Sequence, residues 1–239
     1  MRLRQIVAEG GNIFKDAAGQ ATTQRINLAD IKPTLSWLER VTKLPIKDNT
    51  IGSVGKKPTS GDLDVAVDAE SISKDDLIAQ LRKWIATQDG QEKDWIRKSG
   101  ISVHLKTPIK GDAKNGYVQT DFMFYRNIPL AKWFAQYDPA SAYKNADRII
   151  LMNSLAKSHG MKLSPDDGLV TREGNKAITT DPVDITKYLL GPDAGLDDMT
   201  SVERIISYVK AHDPDWAART ADARDNFVSR GLDIEVPPT

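Results

Sequence analysis

The sequence predicts an α+β protein: a mixed sheet with flanking helices, followed by a mostly helical C-terminal region. Three observations predict it. Segments of strand period at 62–68, 101–106 and 118–125 alternate with segments of helical period. Beyond Asp121 the apolar spacing turns helical. A chain of 239 residues, 40% of them apolar, is long enough for one sizeable core or two small ones. The expected division is an N-terminal arm (1–27), a sheet domain (28–140) and a mainly helical region (141–239).

Residues 1–27 are polar, contain Gly10-Gly11 and Gly19 and keep no sustained period, so a loosely folded arm is expected. A helix is predicted from Asp30 to Leu44, with Pro33 near its start and Ile31, Leu35, Trp37, Leu38 and Val41 as its apolar stripe. A short apolar strand ends at Ile51, and a longer one covers 62–68. Ser73-Lys74-Asp75-Asp76 makes a capping-box-like start for a helix that turns Leu77, Ile78, Leu81, Trp84 and Ile85 inward. Ile101–Lys106 and Val118–Tyr125 read as neighbouring strands of one sheet. Arg148–His159 is a helix stopped by Gly160 at its C′ position. Thr200-Ser201-Val202-Glu203 caps another, with Val202, Ile205, Ile206 and Val209 on one side. Trp216, Phe227 and Val228 belong to a last packed helix, and Glu235–Thr239 is expected to fray.

The chemistry concentrates between Ile51 and Val67. Gly52-Ser53 is followed by a basic, Gly- and Pro-containing loop with Lys56 and Lys57, then by Ser60-Gly61-Asp62-Leu63-Asp64. On a strand, Asp62 and Asp64 project from one face while Leu63, Val65 and Val67 pack on the other. Two carboxylates one strand period apart build a poor core but suit a hard divalent cation, and Mg²⁺ in particular pairs one or two carboxylates with substrate phosphates. The Gly52-Ser53 turn, read as the start of a helix, offers backbone N–H groups to such phosphates, and the two lysines add positive charge. A third carboxylate, Asp121, lies on the 118–125 strand, opposite in facing to Val118, Thr120, Phe122 and Phe124. There an isolated buried carboxylate is costly unless paired or metal-bound. Taken singly, these residues have ordinary readings: Asp62 as a turn residue after Gly61, Asp64 as a solvated edge-strand residue, Lys56-Lys57 as a loop tip. Their joint order points to catalysis.

That order resembles the signature of the polymerase-beta-type nucleotidyltransferases. The form Gly52-Ser53 … Ser60-Gly61-Asp62-Leu63-Asp64, with Asp121 on a later strand, is most similar to the family X DNA polymerases. The likeness continues through Ala156–Val170, similar to a thumb helix running into a small hairpin, and through Thr180–Gly191, similar to the helix that follows it. The resemblance implies a palm domain at 28–140 and a thumb-like region at 141–239. It implies two Mg²⁺ ions about 3.5–4 Å apart, with Mn²⁺ as a substitute. Asp62 and Asp64 would touch both ions, and Asp121 only the one that activates the attacking hydroxyl. Ser53, Lys56, Ser60 and Gly61 would hold the β- and γ-phosphates of a nucleoside triphosphate, with Lys57 beside them and Gly52 letting the backbone approach. The implied reaction transfers a nucleoside monophosphate to a hydroxyl and releases pyrophosphate. The 3′ end of a nucleic acid is the expected acceptor, and a small molecule or protein side chain the alternative. About fifty residues precede Gly52, too few for the duplex-gripping region of those polymerases, so template-free addition is expected. The loop before Gly61 is also a residue shorter than theirs and carries lysine where they carry arginine, which removes a bidentate fork.

Composition narrows the remaining classes. The net charge is zero, yet Lys93, Arg97, Lys98, Lys106, Lys110 and Lys114 cluster against only Asp94 and Asp112. That cluster reads equally as a phosphate-binding surface or as solvated strand ends. With no cysteine there is no disulfide framework or thiolate site, and a cytoplasmic home is the default. His104, His159 and His212 are scattered without ligand spacing, which argues against zinc. No apolar run reaches the length of a membrane span, so no membrane partner is expected.

Overall fold

A computed structural model of the chain describes residues 13–234. The first part of the expected arm (1–12) and the whole of the expected frayed end (235–239) lie outside the described residues. The chain divides after Ile128 into two compact units.

In the first unit, β1 (Ile26–Asn27) leads directly into α1 (Leu28–Thr42) and pairs antiparallel with β2 (Thr59–Ser60). Then come β3 (Asp62–Asp68), α2 (Lys74–Ile85), the single turn α3 (Glu92–Trp95), β4 (Ile96–Ser99), β5 (Ser102–Pro108) and β6 (Tyr117–Tyr125). The strands β3-β6-β5-β4 form one mixed sheet, parallel at β3–β6 and antiparallel elsewhere. Its apolar face carries Leu63, Val65, Val67, Val103, Leu105, Val118 and Phe122, which share a core with Leu38 of α1 and Leu77 and Leu81 of α2. Each such burial stabilises by about 1.5–3 kcal/mol, so the sheet is fixed from its back. Trp37, Trp84, Trp95 and Tyr117 continue this core as an edge-to-face series with centroids 5.0, 5.5 and 5.4 Å apart. Ser73 caps α2 as its sequence suggests, accepting from the Asp76 N–H.

This unit departs from the sequence reading in several places, and the short strand expected to end at Ile51 is reduced to a single bridge from Thr50 to Val65. The described part of the arm is tied down: Phe14 and Ile26 are buried, and the Gln24 N–H donates to the Tyr117 carbonyl at 2.7 Å. Strand β4 was not anticipated; only four residues long, it shows little alternation and gains its order from pairing with β5.

The second unit contains α4 (Ile128–Phe134, which begins at the division), α5 (Asn145–Ser158), β7 (Met161–Ser164), β8 (Gly168–Thr171), β9 (Ala177–Thr179), α6 (Pro182–Leu190), α7 (Val202–His212), α8 (Trp216–Arg219) and α9 (Ala221–Val228). It is mainly helical, with one small antiparallel sheet ordered β7-β8-β9. Gly160 closes α5 at φ 71°, where a side chain is strained. Asp181 and Ser201 cap α6 and α7. Leu151, Leu155, Ile185, Leu189, Ile205 and Phe227 form its core. Among the described residues no helix is long and apolar enough to cross a membrane.

Candidate metal centre

The sheet pairing builds the site. In register, Asp64 lies opposite Asp121, which lies opposite His104, which lies opposite Arg97; one step along, Asp62 lies opposite Gln119 and Gln119 opposite Lys106. Because β3 and β6 are adjacent and parallel, all three aspartates share the polar face, away from the α1–α2 core. Asp62, Asp64 and Asp121 each offer a carboxylate oxygen, and these oxygens all lie within 4.8 Å of one another. The sequence-predicted trio is thus brought together.

Like charges at this range repel, and the surroundings are partly dry. Burial first, then the charges of Asp62 and Asp121, push the Asp64 carboxyl up to about 8. Burial and then Asp121 also raise Asp62, an effect partly offset by a backbone hydrogen bond and then by Arg25. Such a set is short of positive charge and rich in hard oxygen donors, which fits a divalent cation better than a proton store.

Asp121 is held by partners that sequence reasoning missed. His104 Nδ1 lies 2.7 Å from Asp121 Oδ1, and His104 Nε2 lies 2.7 Å from Ser99 Oγ. Gln119 Nε2 donates to both Asp121 oxygens, at 2.9 and 3.1 Å. The Ile13 N–H in turn donates to Gln119 Oε1 at 3.0 Å, which fixes that amide's orientation. His104 was set aside for lack of ligand spacing; its proximity depends on the β5–β6 register and leaves no trace in local spacing.

The loop behaves less simply than expected. Residues 52–58 form turns and bends, so Gly52-Ser53 does not open a helix and the expected helix N-terminus is absent. The Ile51 N–H donates to the Asp64 carbonyl at 3.0 Å, and Thr50 bridges to Val65, which hangs the turn on β3. Gly52 adopts φ 66°, and a methyl group built there would stand 3.5 Å from Asp64 Oδ2. The positive φ is what favours glycine here, since the methyl group would make only ordinary contact with the carboxylate. Ser53 is half-buried, Lys56 and Lys57 are exposed, and Ser60 is buried with no hydrogen-bond partner for its Oγ among the described residues. A methyl group on Gly61 would meet Arg25 Nη1 at 3.2 Å. Arg25, whose Nε and Nη2 donate to Thr59 at 3.0 and 3.1 Å, is a second residue the sequence did not flag. The β1–β2 pairing brings it there from the expected arm.

No protein-family model matches this chain, and no curated protein matches it in sequence.

Proposed function

We propose that this protein is a metal-dependent nucleotidyltransferase that moves a nucleoside monophosphate from a nucleoside triphosphate to a hydroxyl, with a nucleic-acid 3′ end as acceptor. The observation that carries the reading is the convergence of Asp62, Asp64 and Asp121 from two adjacent parallel strands, behind a glycine-serine turn. The residue order that resembles family X polymerases adds to it, as does a second unit in which a helix, a small antiparallel sheet and a capped helix follow one another.

The three aspartates would hold Mg²⁺ or Mn²⁺. Bound there, the ions would polarise the phosphoryl oxygens and neutralise charge developing on them. Gly52 gives the turn its positive φ beside Asp64, and the Ser60 Oγ, unpartnered among the described residues, is a donor ready for a phosphate oxygen. Arg25, beside Gly61 and Asp62, supplies a guanidinium at the same end of the site, and Lys56 and Lys57 add charge from the loop.

A second reading, transfer to a small-molecule or protein hydroxyl, has its own support. Lys98 is paired with Asp75 at 2.6 Å and Lys110 with Asp30 at 3.0 Å, which lowers the positive charge the basic segment can offer a phosphate backbone. Incubation with a labelled primer, Mg²⁺ or Mn²⁺ and each nucleotide separately tests the assignment. Primer extension that Asp64→Asn abolishes is the expected result. Nucleotide consumption with a small hydroxylated acceptor but never with a primer would favour the second reading, and no pyrophosphate release under any condition would remove both.

A further inference from the structure

We infer that His104 is a positioning residue for Asp121, holding that carboxylate in place to complete a divalent-cation site with Asp62 and Asp64. The inference rests on the metal-centre reading and goes beyond it, because nothing in the aspartate signature calls for a histidine on a neighbouring strand.

The geometry carries it. An ionised carboxylate can only accept, so the hydrogen between His104 and Asp121 sits on Nδ1. In the neutral ring Nε2 then accepts from the Ser99 hydroxyl, and the ring is held at both nitrogens. Asp121 Oδ1 takes two hydrogen bonds, from His104 and Gln119, whereas Oδ2 takes only the longer one from Gln119. Oδ2 is therefore the oxygen with lone-pair capacity left for a cation. Among the described residues no other side chain hydrogen-bonds the carboxylate of Asp62 or Asp64 in this way. Repulsion within the trio would swing an unrestrained carboxylate outward, and the Ser99–His104 pair opposes that motion for Asp121. Groups one step behind a metal ligand commonly tune affinity by this means.

The test uses the full chain and Mn²⁺, whose free concentration is followed by electron paramagnetic resonance. His104→Ala should weaken Mn²⁺ binding about 10–100-fold. It should lower kcat far more than it raises KM for the triphosphate. His104→Asn keeps an N–H donor near the Nδ1 position and should restore most of the affinity, while Ser99→Ala should cost only severalfold. In an Asp121→Asn background, His104→Ala should add nothing, because its effect runs through Asp121. Circular dichroism and melting of each apo variant report folding; if His104→Ala does not fold, His104→Asn and Ser99→Ala carry the test. Wild-type Mn²⁺ affinity in His104→Ala, or full additivity with Asp121→Asn, overturns the positioning role and leaves the metal site standing. A wild-type chain that binds no Mn²⁺ overturns the metal site itself, and the inference with it.

Discussion

Both units bury charge, and they treat it in opposite ways. In the second unit Arg148 is only 1% exposed, yet its guanidinium makes four hydrogen bonds. It donates to the carbonyls of Met199, Phe134 and Trp133 at 2.6, 3.1 and 3.0 Å and to Asn145 Oδ1 at 2.8 Å, and it lies over the Trp133 ring. Two of those carbonyls end α4, where a helix has unsatisfied acceptors and favours a cation. Neighbouring Asp147 is paired with Arg230 at 2.6 Å. In the first unit three carboxylates face one another, and burial first, then the like charges beside them, hold Asp62 and Asp64 above the usual carboxylate range. Burial of charge is therefore not what separates a site from a core. A core resolves its charges internally, whereas a site leaves them for something that arrives.

Removing a carboxylate and removing the guanidinium should break the two regions differently. Asp64→Asn or Asp121→Asn should lower turnover by about 1,000-fold or more, since the ions would lose a ligand and their charge balance. The same Asp64→Asn should raise the melting temperature of the metal-free protein, because repulsion within the trio is relieved. Turnover near wild type would sink the catalytic assignment. Arg148→Met should cost about 1–3 kcal/mol of stability: the Met199 carbonyl loses its Arg148 donor, whereas the Trp133 and Phe134 carbonyls keep the Gln136 N–H and Asn145 Nδ2. Arg148→Lys should rescue little of it, for lack of a planar fork. Urea melts of the two variants, followed by tryptophan fluorescence, check the contrast; a near-neutral Arg148→Met would show that its bonds contribute little.

The pH dependence of stability sharpens the comparison. An aspartate in the unfolded chain titrates near 3.9, whereas Asp64 in the fold is pushed up to about 8. Between those values the folded, metal-free protein holds a proton that the unfolded chain has lost. This contribution is thus fully present below the unfolded value and is lost as pH rises through about 8, at no more than about 1.4 kcal/mol per pH unit. Asp62, raised in the same direction, adds to the slope. Arg148, pushed down to about 10 by burial, stays charged throughout this window and adds none. In the presence of chelator the melting temperature should fall from pH 5 to pH 8, Asp64→Asn should flatten the fall, and saturating Mg²⁺ should reverse it. Identical slopes for wild type and Asp64→Asn would show that Asp64 is not the group responsible.

Much of this was legible because it is local. The faces of Asp62, Asp64 and Asp121 follow from strand alternation, and the caps at Ser73 and Ser201 and the stop at Gly160 follow from helix-end chemistry. What escaped depends on pairing across distance. His104 meets Asp121 only through antiparallel register, and Arg25 reaches Gly61 through a two-residue bridge. No spacing within one strand encodes such neighbours. The helix expected after Gly52-Ser53 failed for the converse reason: Gly55 and Pro58 break the segment, and its order comes from β3.

The smallest expected effect concerns the acceptor. Lys98 and Lys110 belong to the basic segment that would grip a nucleic acid, but each is engaged by an aspartate on a helix, Asp75 of α2 and Asp30 of α1. A lysine that contacts phosphate without a competing carboxylate changes the salt slope of binding by about one unit when removed. These two must first leave Asp75 and Asp30, so Lys98→Ala and Lys110→Ala should each reduce the slope by less than one unit. Because exposed ion pairs contribute only about 0–1 kcal/mol, stability should hardly change. Asp75→Asn and Asp30→Asn release the lysines and should strengthen oligonucleotide binding at low salt if the segment is the contact surface. Filter binding of a labelled single strand at two salt concentrations reads all four variants. Equal binding by every one of them would remove the basic segment from the interface and favour a small hydroxylated acceptor, with the aspartate trio unaffected by that outcome.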